Sequence, residues 1–161
     1  MGARVETDRE FWSRVLTAGG TTAVPRWVRE PVPGTAEHEV SVPDDVADAA
    51  RVLVRHLAVP VSALLLAAHA KVLAALSGEQ DVVTGYAAGV RGEPLPCRLS
   101  VPPGTWRALV STAQHAEAEL LAHREFPVDE LCRELGTAQP SNEVVFVPRG
   151  GAENTLVDEG E

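Results

Sequence analysis

Hydrophobic residues recur at helical spacing in five stretches of the chain. Their pattern predicts helices over residues 6–16, 44–57, 63–76, 105–122 and 127–135. The third of these stretches is apolar almost all the way round, which is typical of a helix that is buried on most of its sides. We therefore expect helices to supply a large share of the fold.

The ends of these helices carry residues that favour starting or stopping a helix. Side chains with oxygen acceptors precede three of the helices and would cap their first turns: Asp44 and Asp45, Ser62, and Thr105. Pro127 is suited to the first turn of the last helix. Gly78 and Gly136 follow two of the helices and are predicted to end them.

Four further segments have the pattern of β-strands. Strands are predicted over residues 37–42, 81–89, 94–101 and 142–148, where apolar residues alternate with polar ones or form short buried runs. The resulting order is α-β-α-α-β-β-α-α-β, with enough helices to cover a mixed sheet on at least one face. The sequence thus predicts an α/β fold, a layered mixed sheet with packed helices.

The length of 161 residues is enough for one domain with a core. We assign residues 1–148 to that domain and residues 149–161 to an acidic, flexible tail. Three prolines exclude a regular helix from residues 21–34, where Trp27 and Val28 are expected to anchor the segment to the core.

Charge and cysteine content exclude several classes of protein. The formal net charge is −9, with 14 basic residues scattered among 23 acidic ones, so we expect no nucleic-acid partner. No apolar run approaches the roughly 18 residues that span a bilayer, and no signal-peptide core is present, so we expect no membrane partner and a cytoplasmic location. Cys97 and Cys132 fit no metal or redox spacing and are predicted to be buried reduced thiols.

The sequence lacks the usual signatures of catalysis and cofactor binding. It contains no G-x-S-x-G elbow, no glycine-rich phosphate loop and no histidine pair at metal-ligand spacing. We therefore predict no catalytic, no cofactor-binding and no metal-binding residue. His69 is expected to be a hydrogen-bonded core histidine, and Tyr86 a packed aromatic whose hydroxyl reaches the surface. His123, in the stretch "HREFPVDEL", is interpreted as part of a junction between two helices.

Four stretches, taken together, resemble the C-terminal half of a condensation domain of nonribosomal peptide synthetases. They occur in the family's order and cover roughly residues 8–148. The stretches are "DREFWSRVL" (Asp8–Leu16), "VPVSALLLAAHAKVLAALSGEQDVVTGYAAGVRG" (Val59–Gly92), "LLAHREFPVDELCREL" (Leu120–Leu135) and "QPSNEVVFV" (Gln139–Val147). The second, which is similar to the family's Ser-Gly-x-x-Asp turn and "VVxGxxxxGR" strand, is quite specific.

The resemblance implies one lobe of the chloramphenicol-acetyltransferase-like fold, whose members transfer acyl groups from carrier proteins or coenzyme A. Two features of the family are not found. The catalytic HHxxxDG signature belongs to the N-terminal lobe, which we expect to be absent, and no adjacent histidine pair occurs in the chain. The family's "GxFVNT" segment is replaced by the short "GVRGEP", residues 89–94. In the family the reaction takes place in a tunnel between two lobes, so one lobe would form only half of the tunnel wall.

Three functions follow from this resemblance as hypotheses. The first is a truncated condensation-domain-like protein without independent catalysis, acting as an interaction or structural module. The second is one half of a split condensation enzyme, completed by a partner that carries HHxxxDG. The third is a binder of a small ligand in the remaining half of the tunnel. The expected partners are a synthetase or carrier protein, or a second copy through the inter-lobe face, for which Trp12, Trp27 and Trp106 are the residues to examine.

Overall fold

A computed structural model of the protein describes residues 2–89, 93–138 and 143–148. The helices and strands in these ranges are α1 (Gly2–Ala18), α2 (Asp44–Leu57), α3 (Val61–Ser77), β1 (Asp81–Tyr86), β2 (Leu95–Ser100), α4 (Trp106–Ala122), α5 (Val128–Leu135) and β3 (Val145–Phe146). The predicted α/β fold is confirmed. The predicted tail, residues 149–161, lies outside the described residues.

The three strands form one mixed sheet in the order β2-β1-β3. Strands β1 and β2 are antiparallel, with Thr84 opposite Cys97, whereas β1 and β3 are parallel, with Tyr86 beside Phe146. Residues Val82, Thr84 and Tyr86 alternate along β1, so their side chains share one face of the sheet. They are buried on the side where α3 and α4 pack. The core of the protein therefore lies between the sheet and a layer of two helices.

Helix α1, the first helix of the chain, packs against this core through Trp12. The indole ring is fully buried, and its N–H donates to the backbone carbonyl oxygen of His123 at 2.9 Å. Its neighbour Phe11 meets the indole edge-on, with ring centroids 5.0 Å apart. Replacing a buried aromatic side chain of this size with alanine typically lowers the free energy of unfolding by about 3–5 kcal/mol. Trp12 thus ties α1 to the corner between α4 and α5.

The predicted caps at the helix starts are confirmed in part. Thr105 caps α4 as predicted, because its hydroxyl oxygen accepts from the N–H of Ala108 at 3.2 Å. The predictions for the two preceding helices are wrong: Pro43 and Pro60 occupy the N-cap positions of α2 and α3, and no side-chain cap is made there. Asp44, Asp45 and Ser62 lie one or two residues further on, inside the first turn, where the two carboxylates interact favourably with the helix dipole.

Helices α2 and α3 meet at a sharp corner around Ala58. This residue has φ 53° and ψ 44°, in the left-handed region, and its N–H donates to Arg55 O at 3.3 Å. The two helices are bent by 112° at the break. No single helix in the described ranges is long and apolar enough to cross a membrane, and α2 and α3 reach that length and composition only when counted together.

The segment before α2 differs from the prediction. Trp27 and Val28 do not anchor it to the core, since they are 84% and 63% exposed. The predicted strand over residues 37–42 does not form. Backbone groups of β1 are already paired with other residues, because Val83 N–H donates to Thr22 Oγ1 at 2.8 Å and Gly85 N–H donates to the carbonyl oxygen of residue 144 at 2.9 Å. Residues 37–42 therefore do not pair with β1 on this side of the sheet.

The apolar helix α3 is buried on one side only. Leu66, Ala70 and Leu73 lie in the core, whereas Leu65 and Val72 are exposed on the opposite side. The prediction that this helix is covered on most sides is therefore wrong. Helix α3 packs mainly against α2, α4 and β1, and its His69 ring also contacts Phe146 of β3, but these neighbours leave its outer side uncovered.

Candidate functional site

A buried carboxylate lies between the helix layer and the sheet. Glu117 of α4 is only 3% exposed. The Tyr86 hydroxyl donates to its Oε1 at 2.5 Å, and the Ser62 hydroxyl donates to its Oε2 at 3.0 Å. The prediction that the Tyr86 hydroxyl reaches the surface is wrong, because α4 covers this face of the sheet and supplies the acceptor. The three side chains join α3, α4 and β1 at one point.

The local sequence explains why a carboxylate enters the core here. Val110, Ala113 and Leu120 form the inward stripe of α4, and position 117 falls on the same stripe at helical spacing. The helix backbone therefore carries Glu117 into the interface, where its oxygens need donors. The sequence signal for this buried group is a charged residue in register with the apolar stripe of a helix.

This carboxylate also affects a neighbouring thiol. Burial raises the pKa of Cys97 to about 12, and the negative charge of Glu117 adds to the effect. Since the thiolate is the reactive form, the Cys97 thiol is unreactive at neutral pH. Cys97 and Cys132 are both free and buried, in agreement with the sequence. The arrangement holds polar groups together rather than exposing a nucleophile.

His69 of α3 faces the sheet, as predicted for a hydrogen-bonded core histidine. Its Nε2 lies 3.0 Å from Thr84 Oγ1, and the Thr84 hydroxyl in turn donates to the carbonyl oxygen of residue 144 at 3.1 Å. With the hydroxyl hydrogen used in this way, Nε2 carries the proton and donates to Thr84. Burial lowers the pKa of His69 below its usual value, which favours the neutral ring. His69 therefore links α3 to β1 and β3.

His123 links the first helix to the junction between α4 and α5. Its Nδ1 lies 2.5 Å from Asp8 Oδ1, and its ring stacks on Phe11 with centroids 4.3 Å apart. The same residue is the C-cap of α4 and offers its carbonyl oxygen to Trp12. The stretch "HREFPVDEL" is thus a helix junction, and the His123 ring and carbonyl oxygen both contact α1 there.

Two open hollows lie on the surface of the described residues. The first has a volume of about 460 Å³ and is lined by Thr22, Asp81, Val83 and Arg98, among others. Arg98 is already engaged, because its guanidinium donates to the carbonyl oxygens of Ala18 and Gly19 at the end of α1. The hollow is open to solvent. It is not an enclosed pocket in which acid and base groups converge on a substrate.

The second hollow, about 380 Å³, lies along the outer side of α4 beside His115 and Glu119. Within the described ranges, no group of three or more His, Cys, Asp or Glu side chains is placed to hold a metal ion. Glu117 lines neither hollow. The prediction of no catalytic, cofactor-binding or metal-binding residue stays a prediction, since nothing observed tests it directly.

The three tryptophans predicted as residues to examine are placed differently. Trp12 is fully buried, whereas Trp27 and Trp106 are exposed, Trp106 at 53%. Trp106 begins the stripe predicted for α4, but the buried residues of the helix start only at Leu109, one turn further on. Two large apolar side chains are therefore available at the surface.

The sequence is similar to part of a peptide synthetase. It is 32% identical over 139 residues to the AMB antimetabolite synthetase AmbE of Pseudomonas aeruginosa, covering 76% of this chain and 6% of that protein. No protein-family model matches the sequence.

Solved structures of condensation domains have the same fold. The first condensation domain of the calcium-dependent antibiotic synthetase superposes with a TM-score of 0.65 and 26% identity, covering 90% of this chain and 36% of that one. The starter condensation domain of rhizomide synthetase superposes with a TM-score of 0.61 and 22% identity, covering 90% and 36%. The chain thus spans about a third of the length of the solved structures that it matches.

Proposed function

Because the chain has the fold of part of a nonribosomal peptide synthetase condensation domain, we propose that it is an interaction or structural module of nonribosomal peptide biosynthesis. In this role it does not catalyse condensation alone. Its partner is a synthetase or carrier protein of the same assembly. The observation that carries the proposal is the extent of the match, since 90% of the chain superposes on 36% of a condensation domain.

The chemistry of the described residues supports this proposal. The family resemblance places catalysis at HHxxxDG, and the 161 residues contain no adjacent histidine pair. The two buried or half-buried histidines, His69 and His123, are engaged with Thr84 and Asp8. Loss of a positioned base alone typically reduces a rate by roughly 10²- to 10⁴-fold. Loss of an opposing wall also removes the orientation of the two reactants.

The test is an assay of amide formation with the purified chain. The donor and acceptor groups that the first condensation domain of the calcium-dependent antibiotic synthetase uses are loaded on its carrier proteins, and the product is followed by mass spectrometry. The intact domain is the positive control. We expect the chain to give no product above the uncatalysed background. Product formation by the chain alone would show that the proposed lack of catalysis is wrong.

The interaction role is tested separately by copurification. A tagged chain is coexpressed with the proteins encoded by its neighbouring genes, and each protein that copurifies is identified and its affinity for the chain is measured. We expect at least one synthetase or carrier protein to bind. If none binds, the chain does not act as an interaction module of its assembly.

A split condensation enzyme is the alternative that the same fold supports. The missing signature would then come from a separate polypeptide carrying HHxxxDG. Mixing the chain with such a partner distinguishes the two functions, because only a split enzyme gains condensation activity on mixing. Replacement of the partner's second signature histidine with alanine is the matched control and should abolish that gain.

A further inference from the structure

One long segment of the protein lies in solvent over almost its whole length although it carries large apolar side chains. We call residues 23–43 the arm. Every residue from 25 to 46 is exposed, including Trp27 at 84% and Val32 at 87%. Val28, Val40 and Val42 are exposed as well. Structureless loops of this length are uncommon in compact domains and are usually functional, and exposed apolar side chains in one place favour association.

The arm is held at both ends and is stiffened between them. Before it, Thr22 is buried and accepts a hydrogen bond from the N–H of Val83. At its end, the Pro43 carbonyl oxygen accepts from the N–H of Ala47 in α2, at 2.9 Å. Four prolines lie within the arm, and each fixes one backbone angle: Pro25, Pro31, Pro33 and Pro43. Ordering the arm against a partner therefore costs less conformational entropy than ordering a flexible loop.

The charges of the arm are arranged to complement a second copy of the same arm. Arg26, Arg29 and Glu30 lie in its first half, a formal charge of +1, and Glu37 and Glu39 lie in its second half, a formal charge of −2. None of these five side chains takes part in an ion pair of the described structure. Two arms that run antiparallel place the net positive first half of each copy beside the net negative second half of the other. A two-fold arrangement forms this contact twice.

Net charge also favours the arm as the region where two copies meet. The whole chain carries −9, so most of its surface repels a second copy. The arm contains two arginines and three glutamates, a formal charge of only −1. Stable interfaces use about 20–30 residues from each partner. The continuous run of exposed residues, 25–46, is of that size.

We propose that the arm is a self-association surface that binds the arm of a second copy of this chain. The two arms lie antiparallel about a two-fold axis near Pro33 and Gly34. Trp27 packs against Val40 and Val42 of the second copy, and the arginines of each arm lie beside the glutamate-bearing half of the other. This association goes beyond the proposed function and does not depend on it.

A charge-swap experiment tests the pairing directly. One variant carries Arg26→Glu and Arg29→Glu, and the other carries Glu37→Arg and Glu39→Arg. Sedimentation equilibrium over a range of concentrations should show a dimer for the native chain. For each variant alone, the dissociation constant of the dimer should be higher by roughly 10-fold or more, because the substitution brings like charges together. The equimolar mixture should form a heterodimer, since the charges are again opposite.

Trp27→Ser and Trp106→Ser provide a matched pair of apolar substitutions. Both side chains are exposed, so both variants should fold, as checked by circular dichroism. Only Trp27→Ser should weaken the dimer. The proposal is wrong if the native chain is monomeric at every attainable concentration, if neither charge swap changes the dimer, or if the mixed variants do not associate.

Discussion

Glu117 shows how strongly one buried side chain depends on its partners. Its two oxygens accept hydrogen bonds from Tyr86 and Ser62, and its charge raises the pKa of Cys97 beyond the effect of burial. A buried carboxylate without donors would be costly, whereas one with charge-assisted hydrogen bonds is tolerated. The polar centre of this protein is therefore a set of residues whose contributions to stability are coupled.

Tyr86→Phe is expected to lower the free energy of unfolding by about 1–3 kcal/mol. The ring still fills its space, but Glu117 Oε1 loses the hydroxyl donor at 2.5 Å while remaining buried. Urea denaturation measures the change. Ser111→Ala, on the exposed side of α4, is the control and should stay within about 0.5 kcal/mol of the native chain. An equal effect of both substitutions would contradict the role assigned to the Tyr86 hydroxyl.

His69 is expected to make the protein less stable at mildly acidic pH. Burial lowers its pKa below 6.5 in the folded chain. Well above pH 6.5 the ring is neutral in both the folded and the unfolded chain, and its contribution to stability is complete. As the pH falls below that value, the unfolded chain takes up a proton that the folded chain resists, so the free energy of unfolding decreases.

The comparison of His69→Gln with His56→Gln measures this effect. Urea midpoints are determined at several pH values between neutral and mildly acidic conditions. In His69→Gln the free energy of unfolding should decrease less as the pH falls. The titrating ring is gone, while the glutamine amide can still donate to Thr84. His56 is exposed, and its substitution should leave the decrease unchanged. A decrease that is the same in all three proteins would count against the contribution of His69.

At the scale of helices and strands, two helix ends offer a test of backbone strain. Helices α2 and α3 both end at a residue in the left-handed region, Ala58 with φ 53° and Gly78 with φ 76°. A β-carbon at Gly78 would meet no atom within 4 Å, so only backbone strain opposes it. Gly78→Ala should therefore destabilise the protein by about 1 kcal/mol.

Ala58→Gly is the reciprocal change and should act in the opposite direction. It relieves the same strain at the end of α2, although glycine also makes the unfolded chain more flexible. We expect a net stabilisation of roughly 0.5 kcal/mol. Thermal or urea unfolding of both variants provides the measurement. If the two substitutions change stability in the same direction, left-handed strain does not govern these ends.

Strands depend on their neighbours more than helices do, as the arm demonstrates. Residues 37–42 have the alternation of a strand, yet in the structure they are exposed and unpaired with the sheet. A strand needs a free edge to bond to, and backbone groups of β1 are taken by Thr22 and by residues 144 and 146. The pattern in this segment is therefore suited to pairing outside the described sheet, and the proposed second copy provides such a partner.

At the scale of the whole molecule, the protein has a covered side and an uncovered one. The sheet and the helices α3 and α4 enclose one core, whereas the arm and the outer side of α3 leave apolar residues exposed. This distribution fits a chain that spans about a third of the structures it resembles. The proposed interaction role rests on the extent of that match, and the exposed apolar side chains support it.

Much of the element order follows from the sequence alone, because its causes are local. Helical periodicity, the cap at Thr105 and the stops at Gly78 and Gly136 act within a few residues, and the structure confirms them. The resemblance to condensation domains rests likewise on short stretches that can be read in order along the chain. The α/β class could be predicted for the same reason.

Only the tertiary structure decided which apolar faces are covered and which polar groups meet. Trp12 and Trp27 look alike as single residues, but one fills the corner between α4 and α5 while the other lies in solvent. Glu117 finds Tyr86 and Ser62 across distances of 31 and 55 residues in the chain. Burial depends on the packing of elements that are distant in sequence, and local patterns carry no information about which surfaces come together.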